Sequence, residues 1–167
     1  MRVFYDPRQQ HSPAVYSREG GENRYCDTKT DTLHPGLRGK SDVVKKASHE
    51  LTHRMDVMFA ESWKNENFSR AISDSKAIIN ADPDKFLSYS RSNDNNGFLS
   101  DILSVLSDDE HEFPFYHEKK QLNKYGVKQM EVYSNLFSLE AFNDTKTLEF
   151  IKANFPKLSK AYKRIKL

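Results

Sequence analysis

The pattern of apolar and polar positions changes character near residue 41. From there onward, apolar residues recur every three or four positions, which is the spacing of an amphipathic α-helix. The first predicted helix begins at Ser41 or Asp42, either of which can cap it, and ends near the segment "SWKNEN". Its apolar positions are Val43, Val44, Ala47, Leu51, Met55, Met58 and Phe59.

Six further segments show the same helical patterning. In chain order they read "FSRAISDSKAIIN", "PDKFLSYS", "GFLSDILSVLSDD", "VKQMEVYSNLFSLEAFN", "DTKTLEFIKANF" and "PKLSKAYKRIKL". Pro83 suits the first turn of its helix, because that turn leaves the backbone N–H groups without helical partners. The segment "DEHEFPFYHEKKQLNKYG" is predicted to be a loop, since Pro114 and Gly126 interrupt it.

Residues 1–40 have a different composition, with four of the six glycines and three of the six prolines. Short β-prone pieces, "AVYS" and "NRYCDT", flank the turn candidate "REGGEN". The predicted fold class is therefore α+β: mostly helical, with a small N-terminal β-sheet or hairpin. The predicted organisation is a single domain over residues 1–167, with a β-rich part at 1–40 and a helical part at 41–167.

Charge and composition exclude several classes of protein. The 26 basic and 24 acidic residues give a net charge of +2, without the clustered basic excess of a nucleic-acid binder. A single cysteine allows no disulfide within the chain. The first residues lack the apolar region of a signal peptide, and no apolar run is long enough to cross a bilayer. We therefore expect no nucleic-acid partner, no membrane and a cytoplasmic location.

The segment "HELTH" within the first predicted helix has the pattern H-E-x-x-H. His49 and His53 are one helical turn apart, so both imidazoles can bind one metal ion. Glu50 then lies where it can take a proton from a metal-bound water, as in zinc metalloproteases. The alternative interpretation is that two polar residues happen to share one face of an amphipathic helix.

A catalytic zinc usually takes three protein ligands, so a third ligand is required. The extension that supplies a third histidine in metzincins is absent, because Asp56 and Phe59 stand at its positions. A carboxylate on a later helix is the natural option. Glu131, which shares a polar stripe with Asn135 and Ser138, is the first candidate, and Glu140 is the competitor.

The segments "ASHELTHRMD", "FPFYHEKKQLNKYG" and "MEVYSNLFSLEAFNDTKTLEFIKANFPKL" resemble a zincin-like domain of phage minor head (head-morphogenesis) proteins from Gram-positive bacteria. They are also distantly similar to the catalytic domain of anthrax lethal factor. In those proteins H-E-x-x-H is followed by a helix of the type E-x-F-A-[EN]-x-F. Here "EVYSNLF" stands at that place, with Tyr133 for Phe and Ser134 for Ala. The resemblance covers roughly residues 42–160.

The resemblance implies a zincin-like fold and a zinc metalloendopeptidase of unknown peptide or protein substrate. His49, His53 and Glu131 match the zinc ligands, and Glu50 matches the general base. The location implied is the bacterial host cytoplasm or the virion. Asn135 stands where lethal factor has a carboxylate that supports the site.

The resemblance also implies a donor that stabilises the oxyanion of the reaction. Lethal factor has a tyrosine shortly before the third ligand, which Tyr125 matches, whereas the phage proteins have a loop histidine, which His117 matches. Gln121 replaces the tyrosine of that phage loop. Both His117 and Tyr125 therefore stand as candidates.

Asp56 is three residues beyond His53 and shares part of its helix face. It could accept the second ring N–H of a ligand histidine, or it could be a solvated acid or part of an ion pair.

Two other functions remain open. One is a non-catalytic zinc-binding structural module in phage head assembly, with capsid or portal proteins as partners. The other is a toxin protease like lethal factor, which ranks third because the sequence holds no delivery signal.

Overall fold

The structure is a computed structural model that describes residues 40–93, 97–114 and 122–165, together with four short extended segments before residue 40. The helices are α1 (Lys40–Met55), α2 (Glu66–Ala81), α3 (Pro83–Asn93), α4 (Phe98–Leu106), α5 (Val127–Ala141), α6 (Thr145–Asn154) and α7 (Pro156–Ile165). Their order and type confirm the seven helical segments predicted from the sequence, and α1 begins slightly earlier than predicted.

Local sequence signals explain where several of these helices begin. The side chain of Asn65 accepts a hydrogen bond from the Phe68 N–H at 3.0 Å, which caps α2. Asp144 caps α6 in the same way, accepting from the Thr147 N–H at 3.1 Å. Pro83 and Pro156 are the first residues of α3 and α7, where the missing N–H costs nothing.

The first predicted helix is divided in the structure. α1 ends at Met55 and continues into a π-helical turn over Asp56–Ala60, followed by a 3₁₀ turn over Ser62–Lys64. Between the two turns, Glu61 has a φ of 47°, in the left-handed region. The chain therefore leaves the axis of α1 directly after the H-E-x-x-H segment.

The α4 and α5 helices lie at the centre of the packing. α5 contacts α1, α2, α4 and α6, and α2 also packs against α7. The largest side chains that are fully buried are Tyr133, Phe68, Phe86, Phe155, Ile79, Leu99, Ile102, Leu103, Leu106, Leu122, Leu136 and Leu139. Because α1 packs on the central helix α5, side chains at their interface are removed from water.

The predicted α+β fold class with a small N-terminal sheet is wrong. Helical residues make up 82% of the part where side chains are described, and that part contains no strand. The extended segments before it are β1 (Arg18–Glu19), β2 (Glu22–Asn23), β3 (Tyr25–Asp27) and β4 (Thr32–His34).

These segments form two separate antiparallel ladders, β1 with β2 and β3 with β4, of only two and three residue pairs. The β-prone pieces are too short and too polar to present an apolar sheet face, and a two-stranded hairpin without further strands is marginally stable at best. Turn-forming residues in the sequence do not by themselves imply a sheet.

The start of α5 depends on a glycine packed against a tryptophan. Gly126 has a φ of 78°, and a Cβ added there would lie 2.9 Å from Trp63 Cβ. We expect Gly126→Ala to lower the free energy of unfolding by roughly 1–3 kcal/mol, because both the backbone conformation and the contact become strained. Chemical denaturation of the two proteins measures this difference.

Gly97 provides a comparison for that experiment. It precedes α4 with a φ of 77°, so Gly97→Ala imposes a similar backbone strain at the start of another helix. A loss of stability no larger in Gly126→Ala than in Gly97→Ala would show that the close approach to Trp63 is readily relieved, and no loss in Gly126→Ala would contradict the prediction.

In the described part of the chain, no helix combines the length and the apolar composition needed to span a membrane.

Candidate metal centre

Three predicted ligands, two on α1 and one on α5, lie together at the interface of these helices. His53 Nε2 lies 2.9 Å from His49 Nε2. Glu131 Oε2 lies 3.4 Å from each of these nitrogens. The helical spacing explains the histidine pair, and the packing of α1 on α5 supplies the carboxylate.

The geometry of this cluster fits a metal ion. Ligand atoms held about 2.0–2.1 Å from a tetrahedral zinc are separated from each other by about 3.4 Å. Both histidine-to-carboxylate distances have this value, and the two ring nitrogens need to separate only slightly. Two imidazoles and one carboxylate also form a donor set that is common in catalytic zinc sites. The cluster could therefore hold a metal.

The cluster is buried but not sealed. His53 and Glu131 have side chains that are 0% exposed, whereas the His49 side chain is 13% exposed. The Phe98 ring stacks on His49 with a centroid distance of 6.2 Å. A small molecule would therefore approach the cluster from the side of His49.

Burial and the neighbouring charges act differently on the two imidazoles. Burial lowers the pKa of His53, and the attraction of Glu131 only partly offsets this effect. Burial also acts to lower the pKa of His49, but the hydrogen bond with Glu131 and the charges of Glu131, Glu50 and Asp101 outweigh it and raise the pKa. His53 is therefore held in the neutral form that a metal ligand needs.

Glu50 lies next to this cluster on α1. Its side chain is largely buried, with the residue 8% exposed. Its charge acts to raise the pKa of His49. In the sequence, the predicted base directly follows the more accessible ligand.

Two supporting contacts involve neighbouring residues of α5, Ser134 and Asn135, of which the resemblance placed only Asn135 at a supporting position. Ser134 Oγ on α5 lies 2.9 Å from His53 Nδ1. The Asn135 amide donates to Asp101 Oδ2 on α4 at 2.6 Å and to the Glu131 carbonyl at 3.0 Å. A carboxylate is thus present near the cluster, supplied by α4 rather than by position 135. No sequence pattern links α4 to this site, so only the tertiary structure could identify Asp101.

The remaining candidates from the sequence have different positions. Glu140, the competing third ligand, accepts a hydrogen bond from the Tyr162 hydroxyl at 2.9 Å, away from the cluster of three donors. Tyr125 is 52% exposed in the turn before α5. His117 lies outside the described residues. A role in oxyanion stabilisation therefore stays a prediction for both Tyr125 and His117.

Asp56 has none of the three roles considered for it. It is fully buried, with its Oδ1 accepting from the Ser62 N–H at 2.7 Å and its Oδ2 from the Ser62 hydroxyl at 2.5 Å. These bonds close the turn that follows α1. Asp56 therefore fixes the end of the helix that carries the two histidines.

The burial of Asp56 predicts a pH dependence of stability. Burial raises the pKa of Asp56 to about 7, although the two hydrogen bonds from Ser62 act to lower it. Between about pH 4 and 7 the folded protein retains a proton that the unfolded chain releases, so stability falls as the pH rises through this range. Asp56→Asn should remove this contribution, because the amide stays neutral.

Denaturant unfolding of the parent and of Asp56→Asn at several pH values measures this effect. The stability of the parent should fall relative to that of the variant as the pH rises from about 4 to 7. Parallel pH profiles for the two proteins would contradict the assignment.

No protein-family model, curated protein or solved structure matches this chain. The resemblance to phage minor head proteins and to lethal factor therefore stays a prediction from the motifs. The fold and the site define the protein only as a helical protein with a candidate metal centre of three donors.

Proposed function

We propose that this protein is a zinc-dependent metallopeptidase. The observation that carries the proposal is the convergence of His49, His53 and Glu131, with donor distances that suit one ion. Two imidazoles and a carboxylate favour zinc over magnesium or calcium, which prefer oxygen ligands. Three protein ligands leave a fourth position for water or substrate, as catalytic zinc sites require.

Zinc, when bound, supplies a Lewis acid that makes water acidic enough to act as a nucleophile near neutral pH. Glu50 would serve as the general base that takes a proton from such a water and returns it to the leaving amine. His49 and His53 would hold the ion through Nε2, and Glu131 would hold it through its carboxylate. Glu50 is 8% exposed, so its carboxylate is largely shielded from bulk water.

A donor for the oxyanion completes this mechanism. Tyr125 and His117 are the proposed donors, and one such hydrogen bond is worth about 3–4 kcal/mol of transition-state stabilisation. The Tyr125 side chain is 52% exposed, so it is accessible to a substrate from solvent.

A second candidate is a zinc-binding structural module, proposed to serve phage head assembly with capsid or portal proteins. One observation favours it: the donors come from two packed helices, and His53 and Glu131 are fully buried. Zinc bound there would link α1 to α5, and its binding free energy would stabilise the folded protein. Glu50 favours the peptidase, because a structural site needs no base beside its ligands. A toxin protease acting on one host protein ranks third.

The deciding experiment is incubation of zinc-loaded protein with a mixed peptide library, followed by mass spectrometry. The peptidase proposal expects new peptide ends that disappear when a chelator removes the zinc and return when zinc is restored. Stable zinc binding with no cleavage would overturn it and favour the structural module.

A further inference from the structure

The hydroxyl of Ser134 has a defined position relative to the buried ligand. Ser134 Oγ lies 2.9 Å from His53 Nδ1, and both residues are 0% exposed. The two side chains come from α5 and α1, whose packing fixes their separation. Water is excluded at this place, so the hydrogen bond meets little competition from solvent.

The positions of the two ring nitrogens decide the direction of that hydrogen bond. His53 Nε2 faces the other two predicted ligand atoms of the metal, at 2.9 Å from His49 Nε2 and 3.4 Å from Glu131 Oε2. A nitrogen that binds a metal must offer its lone pair, so with zinc on Nε2 the proton of the neutral ring must be on Nδ1. In that state Ser134 Oγ would accept from the Nδ1–H group of His53.

The two ligand histidines differ in this respect. Among the described residues, the buried Nδ1 of His49 has no hydrogen-bond partner. The ring of His53 is therefore fixed by a second residue, whereas the described structure supplies no such contact at His49. The Ser134 hydroxyl therefore supports the one ligand histidine whose side chain is fully buried.

We propose that Ser134 is a positioning residue that holds His53 with its proton on Nδ1 and its Nε2 directed at the metal. This inference rests on the proposed zinc site and adds to it the residue that prepares the buried ligand. Partners of this kind set both the tautomer and the orientation of a ligand imidazole, and losing one typically costs about 10–100-fold in metal affinity.

The chain offers a matched control on the same helix. Ser138 is one turn beyond Ser134 and is also 0% exposed. Its Oγ is buried and has no hydrogen-bond partner among the described residues. Ser134→Ala and Ser138→Ala therefore remove the same atom from similar surroundings, and alanine favours a helix at both places.

The first measurement is zinc affinity, by competition with a chromophoric chelator, in the parent and both alanine variants. Ser134→Ala should bind zinc about 10–100-fold more weakly than the parent, and Ser138→Ala should bind it as the parent does. Equal affinities in all three proteins, or equal losses in the two variants, would overturn the proposal. Circular dichroism verifies that each variant retains its helices.

The second measurement reads the contact directly in the metal-free protein, by ¹⁵N NMR of the histidine rings. The His53 Nδ1 resonance should be the same in the parent and in Ser138→Ala, and it should shift in Ser134→Ala, because the hydrogen bond to Oγ is lost. An unchanged His53 Nδ1 resonance in Ser134→Ala would overturn the positioning role. Because this readout needs neither zinc nor cleavage, it separates a failure of this inference from a failure of the proposed zinc site.

Discussion

Replacing Glu131 by alanine should abolish tight zinc binding. Elemental analysis should find about one zinc per chain in the parent, as a site with three protein ligands predicts, and almost none in the variant. Glu131 Oε2 lies 3.4 Å from the Nε2 atoms of both His49 and His53. Its removal leaves two neutral ligand nitrogens and no negative charge to offset the charge of the zinc ion. The affinity loss should exceed the roughly 100-fold that marks the upper range for residues that only support a ligand.

Two further variants test the specificity of that result. Glu131→Gln keeps the size of the side chain but removes the charge, so zinc loss in both variants would exclude a simple packing defect. Glu140→Ala removes the other candidate carboxylate of α5, which accepts from Tyr162. It should leave zinc content unchanged. Undiminished zinc in Glu131→Ala, or a loss only in Glu140→Ala, would contradict the assigned ligand set.

The parts of this protein that the sequence predicted are those set by local rules. Pro83, Asp144 and Pro156 act within one turn of their own position, and the helices predicted to begin there do so. The α2 helix begins at Glu66 after its Asn65 cap, two residues before the predicted start at Phe68. The pairing of His49 with His53 is local in the same sense, because four residues make about one turn.

The parts that the sequence did not predict depend on contacts between distant elements. The turn after α1 is closed by Asp56 and Ser62, six residues apart, while the apolar pattern continues through it without interruption. Asp101 reaches the centre only because α4 packs on α5. Glu131 could be ranked above Glu140 by its polar stripe and by the resemblance, but packing of α1 on α5 had to bring it to the histidines. The N-terminal sheet prediction is wrong for a different reason, since turn-forming residues indicate where a chain reverses and not whether strands join into a sheet.

The conversion of Glu50 to glutamine should separate metal binding from catalysis. Glu50 is adjacent to His49 in sequence, but it is not one of the three clustered donors, so the variant should keep about one zinc per chain. Peptide cleavage should fall by about 10²–10⁴-fold, the range that a positioned general base contributes. The amide has nearly the same shape as the carboxylate but cannot accept the proton.

The measurement is the cleavage rate of a peptide identified in the library, at equal zinc content in the parent and the variant. Thermal unfolding of both proteins gives the control, because Glu50 is largely buried and its replacement must not simply loosen α1. A Glu50→Gln protein that cleaves as fast as the parent would refute the role of Glu50 as the base. If both proteins bind zinc and neither cleaves peptides, the structural role would be the better explanation. Zinc would then link α1 to α5 and stabilise the fold.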